Sequence, residues 1–258
     1  LMKICKLIIC GLLLTFTCFS QEKKEAFKGG EWLRYKMSYS GFFRAGTAVL
    51  ELKETNLNGE KVFYSKGTGW TSGLLKWFFK VDDVYESYFD KAPVKPILFK
   101  RKINEGGYKK HRITKFDYTS NTAYIQDFKN QKDTTVIFSK VQDMLSSFYY
   151  LRKQDAKTLK KGDELAIDMF MDSQVYPFKL RFLRKEVIKT KFGKVKCLVF
   201  RPLVQSGRIF KAEESVTLWI TDDANKVPIK MKADLAVGFL RAELEAYKGL
   251  ANNFKRAD

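Results

Sequence analysis

Apolar and polar residues alternate along most of the chain, and this two-residue period decides the fold class. Successive side chains of a β-strand point to opposite faces, so alternation indicates a strand with one buried face. In the first such segment the apolar residues Leu33, Tyr35, Met37 and Tyr39 alternate with Arg34, Lys36, Ser38 and Ser40. We therefore predict a β protein.

The same pattern recurs almost from end to end. Its later segments are residues 48–52, 62–71, 81–89, 97–104, 108–118, 122–128, 134–138, 165–171, 176–189, 195–201, 215–221, 229–236 and 239–247. Short turns rich in glycine and asparagine, such as 56–59 and 106–107, separate neighbouring segments. Turns this short predict antiparallel pairing.

A sheet of roughly a dozen strands must curl, close or split into two layers. A closed barrel, a half-open barrel and a sandwich all satisfy this requirement. Segment 176–189 is apolar on one face and basic on the other, which favours a single layer. The expected fold is mainly β: one large curved antiparallel sheet, apolar on its concave side, forming a half-open or closed barrel.

One segment has a helical period instead. Between Val141 and Lys153, the residues on one helical face are Met144, Leu145, Phe148, Tyr149 and Arg152. Asp143 can cap the first turn of this helix. We expect a short helix that covers the sheet.

The first twenty residues have the features of a secretory signal peptide. Lys3 and Lys6 precede the apolar run Leu7–Phe19, and the small residue Ser20 precedes a cut at Gln21. A retained membrane helix and a lipidated cysteine are the less favoured alternatives. We predict a periplasmic or otherwise exported protein, with residues 21–248 as a single β domain and residues 249–258 as a flexible tail.

The mature chain is strongly basic. Residues 1–20 contain two lysines and no acid, so the net charge of +19 for the whole chain becomes +17. For an exported protein, the expected anionic partners are phospholipid headgroups, lipopolysaccharide phosphates or acidic polysaccharide, and not nucleic acid. The alternative is a solvated basic surface without a dedicated partner.

The densest cations flank the turn 106–107. A hairpin there would place them on one basic ribbon, which we predict to bind anions. The members of the basic ribbon are Lys100, Arg101, Lys102, Lys109, Lys110 and Arg112.

The segment Gly73–Lys80 is a dense apolar and aromatic cluster bracketed by lysines. One interpretation is a membrane-interface loop or the lip of an apolar pocket. The other is packing across one end of the sheet, which the sequence favours because most aromatic clusters lie in cores. Under the first interpretation, the candidate ligand-binding residues are Trp70, Leu74, Leu75, Trp77, Phe78, Phe79, Phe148 and Tyr149.

The remaining side chains offer little catalytic chemistry. His111 is the only histidine, which excludes a histidine-rich metal site. The acidic stretch Asp82–Asp90 could hold a cation or a glycosidase pair, but charge pairing with basic strands is the favoured interpretation. Cys197 is the only cysteine after residue 20 and is expected to be a buried apolar residue. We expect no catalytic residue, no metal and no cofactor.

Several blocks resemble an exported bacterial family known as domain of unknown function 3108. They are residues 30–35 with 46–48, residues 79–85 with 89–90 and Pro96, residues 142–152, and residues 218–223 with 227–228. The resemblance implies a periplasmic or surface β protein and supplies no catalytic residue. By analogy alone, the expected fold is similar to the half-open barrels of periplasmic lipoprotein carriers.

Three functions follow as hypotheses. The favoured one is a non-enzymatic envelope protein, expected to be a monomer, whose concave sheet binds or carries an acyl chain or a similar apolar ligand. The second is an interaction protein whose basic ribbon binds an anionic envelope polymer. The least favoured is a glycan-active enzyme that uses the carboxylates of Asp82–Asp90.

Overall fold

The structure is a computed structural model that describes residues 24–41, 43–73, 75–203, 215–235 and 237–257. The predicted signal peptide lies outside these described residues. The strands within them are β1 (Trp32–Tyr39), β2 (Phe43–Leu57), β3 (Glu60–Thr71), β4 (Asp82–Asp90), β5 (Pro96–Glu105), β6 (Tyr108–Asp117), β7 (Thr122–Asp127), β8 (Lys132–Ile137), β9 (Glu164–Met171), β10 (Gln174–Thr190), β11 (Gly193–Leu203), β12 (Val216–Thr221), β13 (Pro228–Asp234) and β14 (Phe239–Lys248). The helices are α1 (Leu75–Phe78) and α2 (Met144–Arg152).

All of the described strands belong to one antiparallel sheet, in the order β8-β7-β6-β5-β4-β3-β2-β1-β14-β13-β12-β11-β10-β9. The pairing of β1 with β14 joins the two halves of the chain and sets Leu33 opposite Tyr247. Among the described residues no ladder joins the edge strands β8 and β9, so the barrel is half-open. The predicted single large antiparallel sheet is confirmed.

Other contacts cross the opening between β8 and β9. The segment after β8 forms a parallel bridge with β9, in which Gln142 N donates to Asp168 O and Phe170 N donates to Gln142 O, both at 2.8 Å. The ring of Phe170 also meets that of Phe116 on β6 edge to face, with centroids 5.4 Å apart. These contacts join the two edges without a strand ladder.

The meander places alternate connections at opposite ends of the barrel. Because every neighbouring pair in the described sheet is antiparallel, all odd-numbered strands run the same way. The connections β1–β2, β3–β4, β5–β6, β7–β8, β9–β10 and β13–β14 therefore lie at one end, which we call the loop end. Residues 24–31 and 249–257 lie at the opposite end.

Helix α2 closes the end opposite the loop end, as the predicted covering helix. Its cap is the expected one: the Asp143 side chain accepts hydrogen bonds from the backbone N–H groups of Leu145 and Ser146. Contacts with two connections of that end fix the helix, because Gln142 Nε2 donates to Val94 O and Arg152 Nε donates to Asn225 O, both at 2.9 Å.

The segment after β14, predicted as a flexible tail, packs against the sheet. The ring of Phe254 stacks on that of Tyr247 with centroids 5.0 Å apart, and Ala257 N donates to Lys194 O at 2.7 Å. Asn252 N donates to the Asn225 side-chain oxygen at 2.8 Å. The polar composition concealed this packing, because backbone and amide groups make most of these contacts.

Candidate functional site

Aromatic side chains fill the interior around the middle of α2. Tyr149 has no exposed surface, and its ring centroid lies 4.8 Å from that of Phe27 and 5.3 Å from that of Phe89. Tyr149 is therefore a core residue, although the sequence suggested it as a ligand contact. A helical stripe alone does not separate residues that face a core from residues that face a cavity.

A buried ion pair anchors the C-terminal end of α2. Arg152 donates to both carboxylate oxygens of Glu31, at 2.6 and 2.8 Å, and also to the backbone oxygens of Ala26 and Asn225. The two side chains are 2% and 0% exposed. Every donor group of the guanidinium thus has a partner inside the protein, and the helix is fixed to the segment before β1.

A buried carboxylate anchors the N-terminal end of the same helix. Besides capping α2, Asp143 accepts a hydrogen bond from Ser87 Oγ at 2.6 Å. Burial raises the pKa of Asp143 to about 6, although the hydrogen bonds from Ser87, Ser146 and Leu145 favour its charged form. The helix is therefore held to β4 as well as to the segment before β1.

Between α2 and the loop end, the inner face of β3 lacks side chains at two positions. A Cβ added to Gly67 would lie 3.2 Å from Leu145 Cδ2, so this glycine faces the helix. Gly69 is the next residue on that face, and no atom lies within 4 Å of a Cβ added there. Tyr85 Cβ lies 3.9 Å from the same added Cβ of Gly67, and Tyr85 is a partly buried side chain that packs against the core. We call the face of β3 and β4 around Gly69 and Tyr85 the inner surface.

The aromatic cluster between β3 and β4 projects from the loop end. Trp77 and Phe78 on the one-turn helix α1 are 87% and 85% exposed, so packing across the end of the sheet is the wrong interpretation for both. Phe79 is 48% exposed and lies against Gly106, while Gly106 N donates to Lys80 O at 2.8 Å. The loop thus contacts the β5–β6 turn through Phe79 and Lys80.

The other predicted ligand-binding residues are dispersed. Trp70 lies on the face of β3 opposite Gly69, where it lines a shallow depression of about 500 Å³ together with Arg34 and Arg44. Leu74 lies outside the described residues, and only the backbone of Leu75 is described. Phe148 is partly buried, and its ring lies against that of Tyr149 and against the Arg152 guanidinium.

The basic ribbon is split between two faces of a hairpin. β5 and β6 pair as predicted around the turn 106–107, with Asn104 opposite Lys109. Lys102 and Lys109 are exposed on the outer face, and Lys100 Nζ lies 5.6 Å from the centroid of the Tyr88 ring. Arg101, Lys110 and Arg112 lie on the other face, the one that carries core residues.

Those three inner cations converge on Asp172 in the turn between β9 and β10. Arg101 Nη1 donates to Asp172 Oδ1 at 2.8 Å, Arg112 Nη1 lies 3.5 Å away, and Lys110 Nζ is also bonded. Burial alone would raise the pKa of Asp172, but Lys110 and Arg101 lower it below the usual value. Half of the predicted anion-binding set is therefore engaged by an internal carboxylate.

The acidic stretch of β4 does not form one cleft. Asp83 faces the interior and accepts a hydrogen bond from Asn104 N at 2.9 Å, whereas Asp82, Glu86 and Asp90 alternate onto the other face. Glu86 lies opposite lysines on both neighbouring strands and accepts a hydrogen bond from the Tyr64 hydroxyl at 2.6 Å. This arrangement matches the favoured interpretation of cross-strand charge pairing.

The described residues offer neither a cluster of metal ligands nor a membrane-spanning helix. Within the described ranges, no three His, Cys, Asp or Glu side chains form a group that could hold a metal ion. Neither described helix has the length and apolar character needed to cross a membrane. Cys197 is buried as predicted, and burial raises the pKa of its thiol to about 12.

Comparison with protein families identifies the chain. The model of the family described as "Protein of unknown function (DUF3108)" matches residues 34–245. The chain belongs to the DUF3108 family. No curated protein matches the sequence.

Solved structures support the fold of this DUF3108 protein. It is similar to a β-barrel-like protein of the domain of unknown function DUF1849 from Brucella abortus, with a TM-score of 0.53 and 11% identity over 86% of this chain and 98% of that chain. At this identity the similarity shows the fold alone. A candidate lipoprotein from Parabacteroides distasonis matches with 11% identity over 88% of this chain and 100% of that chain, but its TM-score of 0.34 carries no argument.

Sequence reasoning missed three polar anchors of the DUF3108 fold. They are Glu31, Ser87 and Asp172, each of which meets a partner more than fifty residues away in the chain. No local pattern distinguishes such residues from solvated ones. The only signal was that Glu31 and its partner Arg152 both lie in blocks that carry the family resemblance.

Proposed function

We propose that this DUF3108 protein is exported to the cell envelope and there binds a lipid-like ligand, such as an acyl chain, without catalysing a reaction. The observation that carries the proposal is the inner face of β3, where no atom lies within 4 Å of a Cβ added to Gly69 and the partly buried Tyr85 lies beside Gly67. Concave apolar surfaces of this kind are typical of small-molecule sites. Export is inferred from the signal-peptide features of residues 1–20.

The chemistry of the inner surface suits an extended apolar ligand. The ring of Tyr85 offers partly buried apolar surface on the inner face of β4, and Gly69 leaves space on the inner face of β3. On the inner face of β4, the Asp83 carboxylate already accepts a hydrogen bond from the backbone N–H of Asn104. Because the carboxylates of β4 lie on two faces, the geometry favours binding over catalysis.

A second candidate function is binding of an anionic envelope polymer by the basic ribbon. The exposed outer cations Lys102 and Lys109 support it. Three other members of the ribbon contact Asp172. The positive potential of the ribbon is therefore weaker than the sequence suggested. The lipid-like ligand is therefore the better-supported conclusion.

Filling the space beside Gly69 tests the proposal. We expect Gly69→Leu to fold, because an added Cβ meets no atom within 4 Å. The larger side chain should overlap the ligand and cost about 1–3 kcal/mol of binding, equivalent to a loss of about tenfold or more. The measurement is lipid per mole of protein, by mass spectrometry of organic extracts from protein purified from its native envelope.

Thr68→Leu is the matched control, since it introduces the same side chain one position away on the opposite face of β3. Its lipid content should equal that of the wild type. The proposal fails if wild-type protein carries no lipid, or if the Gly69→Leu protein carries as much lipid as the Thr68→Leu protein.

A further inference from the structure

The exposed large apolar side chains of this protein are concentrated at the loop end. Among the described residues, seven of the twelve lie in loop-end connections or within one residue of them, and Trp70 and Val175 lie two residues from one. We call the first seven together with Trp70 the apolar rim: Phe43, Trp70, Trp77, Phe78, Phe79, Tyr108, Phe128 and Val237. A surface that merely tolerated apolar residues would scatter them over both ends.

The connections that carry the apolar rim touch one another in sequence around the barrel. Ser40 N donates to Phe239 O at 2.8 Å, and Ser72 N donates to Ala45 O at 3.1 Å. Phe79 lies against Gly106, and Lys129 Nζ lies 5.4 Å from the centroid of the Tyr108 ring. The apolar rim is therefore one continuous border and not a set of unrelated loops. With strands about 4.8 Å apart, it extends over roughly 40 Å of sheet.

The same connections are rich in cations. The basic residues in or beside them are Arg44, Lys76, Lys80, Lys109, Lys110, Lys129 and Lys132. Lys110 is paired with Asp172 and Arg44 with Glu245, and the acidic residues beside the others are Asp82, Glu105 and Asp133. The end of the barrel thus presents aromatic rings interleaved with positive charge.

We propose that the apolar rim docks onto the surface of an anionic phospholipid bilayer. Tryptophan and phenylalanine rings enter the boundary between headgroups and acyl chains, while lysines beside them bind lipid phosphates. A second copy of the chain fits less well, because two such ends would bring their cations together. This inference goes beyond ligand binding on the inner surface and does not require it.

Vesicle flotation tests the docking surface. The mature full-length protein should float with vesicles of phosphatidylglycerol and phosphatidylcholine, and much less with phosphatidylcholine alone. The double variant Trp77→Ser/Phe78→Ser should bind anionic vesicles at least about tenfold more weakly, since each buried aromatic ring contributes strongly to partitioning. Both side chains are almost fully exposed, so the variant should fold.

Ile137→Ser is the matched control, because Ile137 is 80% exposed but ends β8 at the opposite end of the barrel. Its vesicle binding should equal that of the wild type. Lys76→Gln/Lys80→Gln should weaken binding to anionic vesicles by about fivefold per lysine, and added salt should reduce the wild-type binding in the same direction.

Several results would overturn the proposal. The proposal is wrong if the wild-type protein does not float with anionic vesicles. It is also wrong if the wild type and the Trp77→Ser/Phe78→Ser variant bind those vesicles equally. Self-association without vesicle binding, abolished by the same double variant, would assign the apolar rim to a second copy instead. Gly69→Leu should keep full vesicle binding while losing lipid, so a failure of docking is distinguishable from a failure of ligand binding.

Discussion

Replacing Glu31 by glutamine is expected to lower the free energy of unfolding by about 3–5 kcal/mol, because the buried guanidinium of Arg152 would lose its counter-charge. Burial alone would lower the pKa of Arg152, but Glu31 raises it above its usual value, so the guanidinium stays charged. An unpaired charge in this position has no route to solvent, since the Arg152 side chain is 2% exposed.

The loss should be large because this ion pair joins distant parts of the chain. Arg152 links α2 to Ala26 before β1 and to Asn225 between β12 and β13. Its guanidinium carbon also lies 5.5 Å from the ring centroid of Phe27. A displaced guanidinium would therefore disturb the helix, the N-terminal segment and a loop together.

Urea denaturation followed by tryptophan fluorescence measures this change. Asp234→Asn is the control, because it removes one carboxylate from the exposed Lys232–Asp234 pair on β13. Exposed pairs contribute about 0–1 kcal/mol, so this variant should unfold close to the wild type. A Glu31→Gln protein within about 1 kcal/mol of the control would contradict the role assigned to the buried pair.

The strands could be predicted from the sequence because one buried face per strand leaves a two-residue period. The turns were equally readable: Asn58 and Gly59, with φ of 52° and 88°, adopt the left-handed conformation that a tight hairpin needs. Whether the barrel closes was not readable. That outcome depends on the pairing of β1 with β14 and on the lack of a described ladder between β8 and β9, which are long-range properties.

The candidate site was only partly predictable, for the same physical reason. Phe148 and Tyr149 are consecutive aromatic residues of α2, yet Phe148 is partly exposed and Tyr149 has no exposed surface. Likewise, the composition of Gly73–Lys80 is equally typical of a core and of an interfacial loop. Exposure depends on what the rest of the chain places nearby, and the sequence pattern carries no record of it.

The blocks that carry the family resemblance converge on α2. Glu31 belongs to the first block and Arg152 to the third, and they form the buried ion pair. Asp143 of the third block bonds to Ser87, which lies on β4 between the two parts of the second block. Asp223, in the last block, accepts a hydrogen bond from Asn225 N, and the Asn225 backbone oxygen accepts one from Arg152 Nε. Residues of the blocks, together with Ser87 and Asn225 beside them, therefore fix how the helix is seated in the sheet.

Replacing Asp143 by asparagine should raise the free energy of unfolding relative to that of the wild type, and the gain should increase as pH rises. Asparagine can cap α2 and bond to Ser87 as aspartate does, but it cannot ionise. In the wild type, burial raises the pKa of Asp143 from 3.8 to about 6. Between these values the folded protein binds more protons at this site than the unfolded chain does.

The sign of the effect follows from that difference in bound protons. Where the folded state binds more protons, the free energy of unfolding falls as pH rises. The wild type should therefore lose about 2 kcal/mol at this site between pH 4 and pH 7, at about 1.4 kcal/mol per pKa unit, since part of the loss already occurs below pH 4. The Asp143→Asn protein has no titrating group at this position. Its free energy of unfolding, relative to that of the wild type, should therefore rise by the same amount between pH 4 and pH 7.

Urea denaturation of both proteins at pH 4, 5, 6 and 7 isolates the site, because groups common to both proteins cancel in the difference. Asp117→Asn is the matched control with the opposite sign. Hydrogen bonds from Ser120 and Thr119 lower the pKa of the exposed Asp117, so its charged form stabilises the folded state, and the variant should become relatively less stable as pH rises from acid. The prediction is wrong if the difference in free energy of unfolding between the wild type and the Asp143→Asn protein stays constant from pH 4 to pH 7. In that case the pKa of Asp143 would be the same in the folded and unfolded chains.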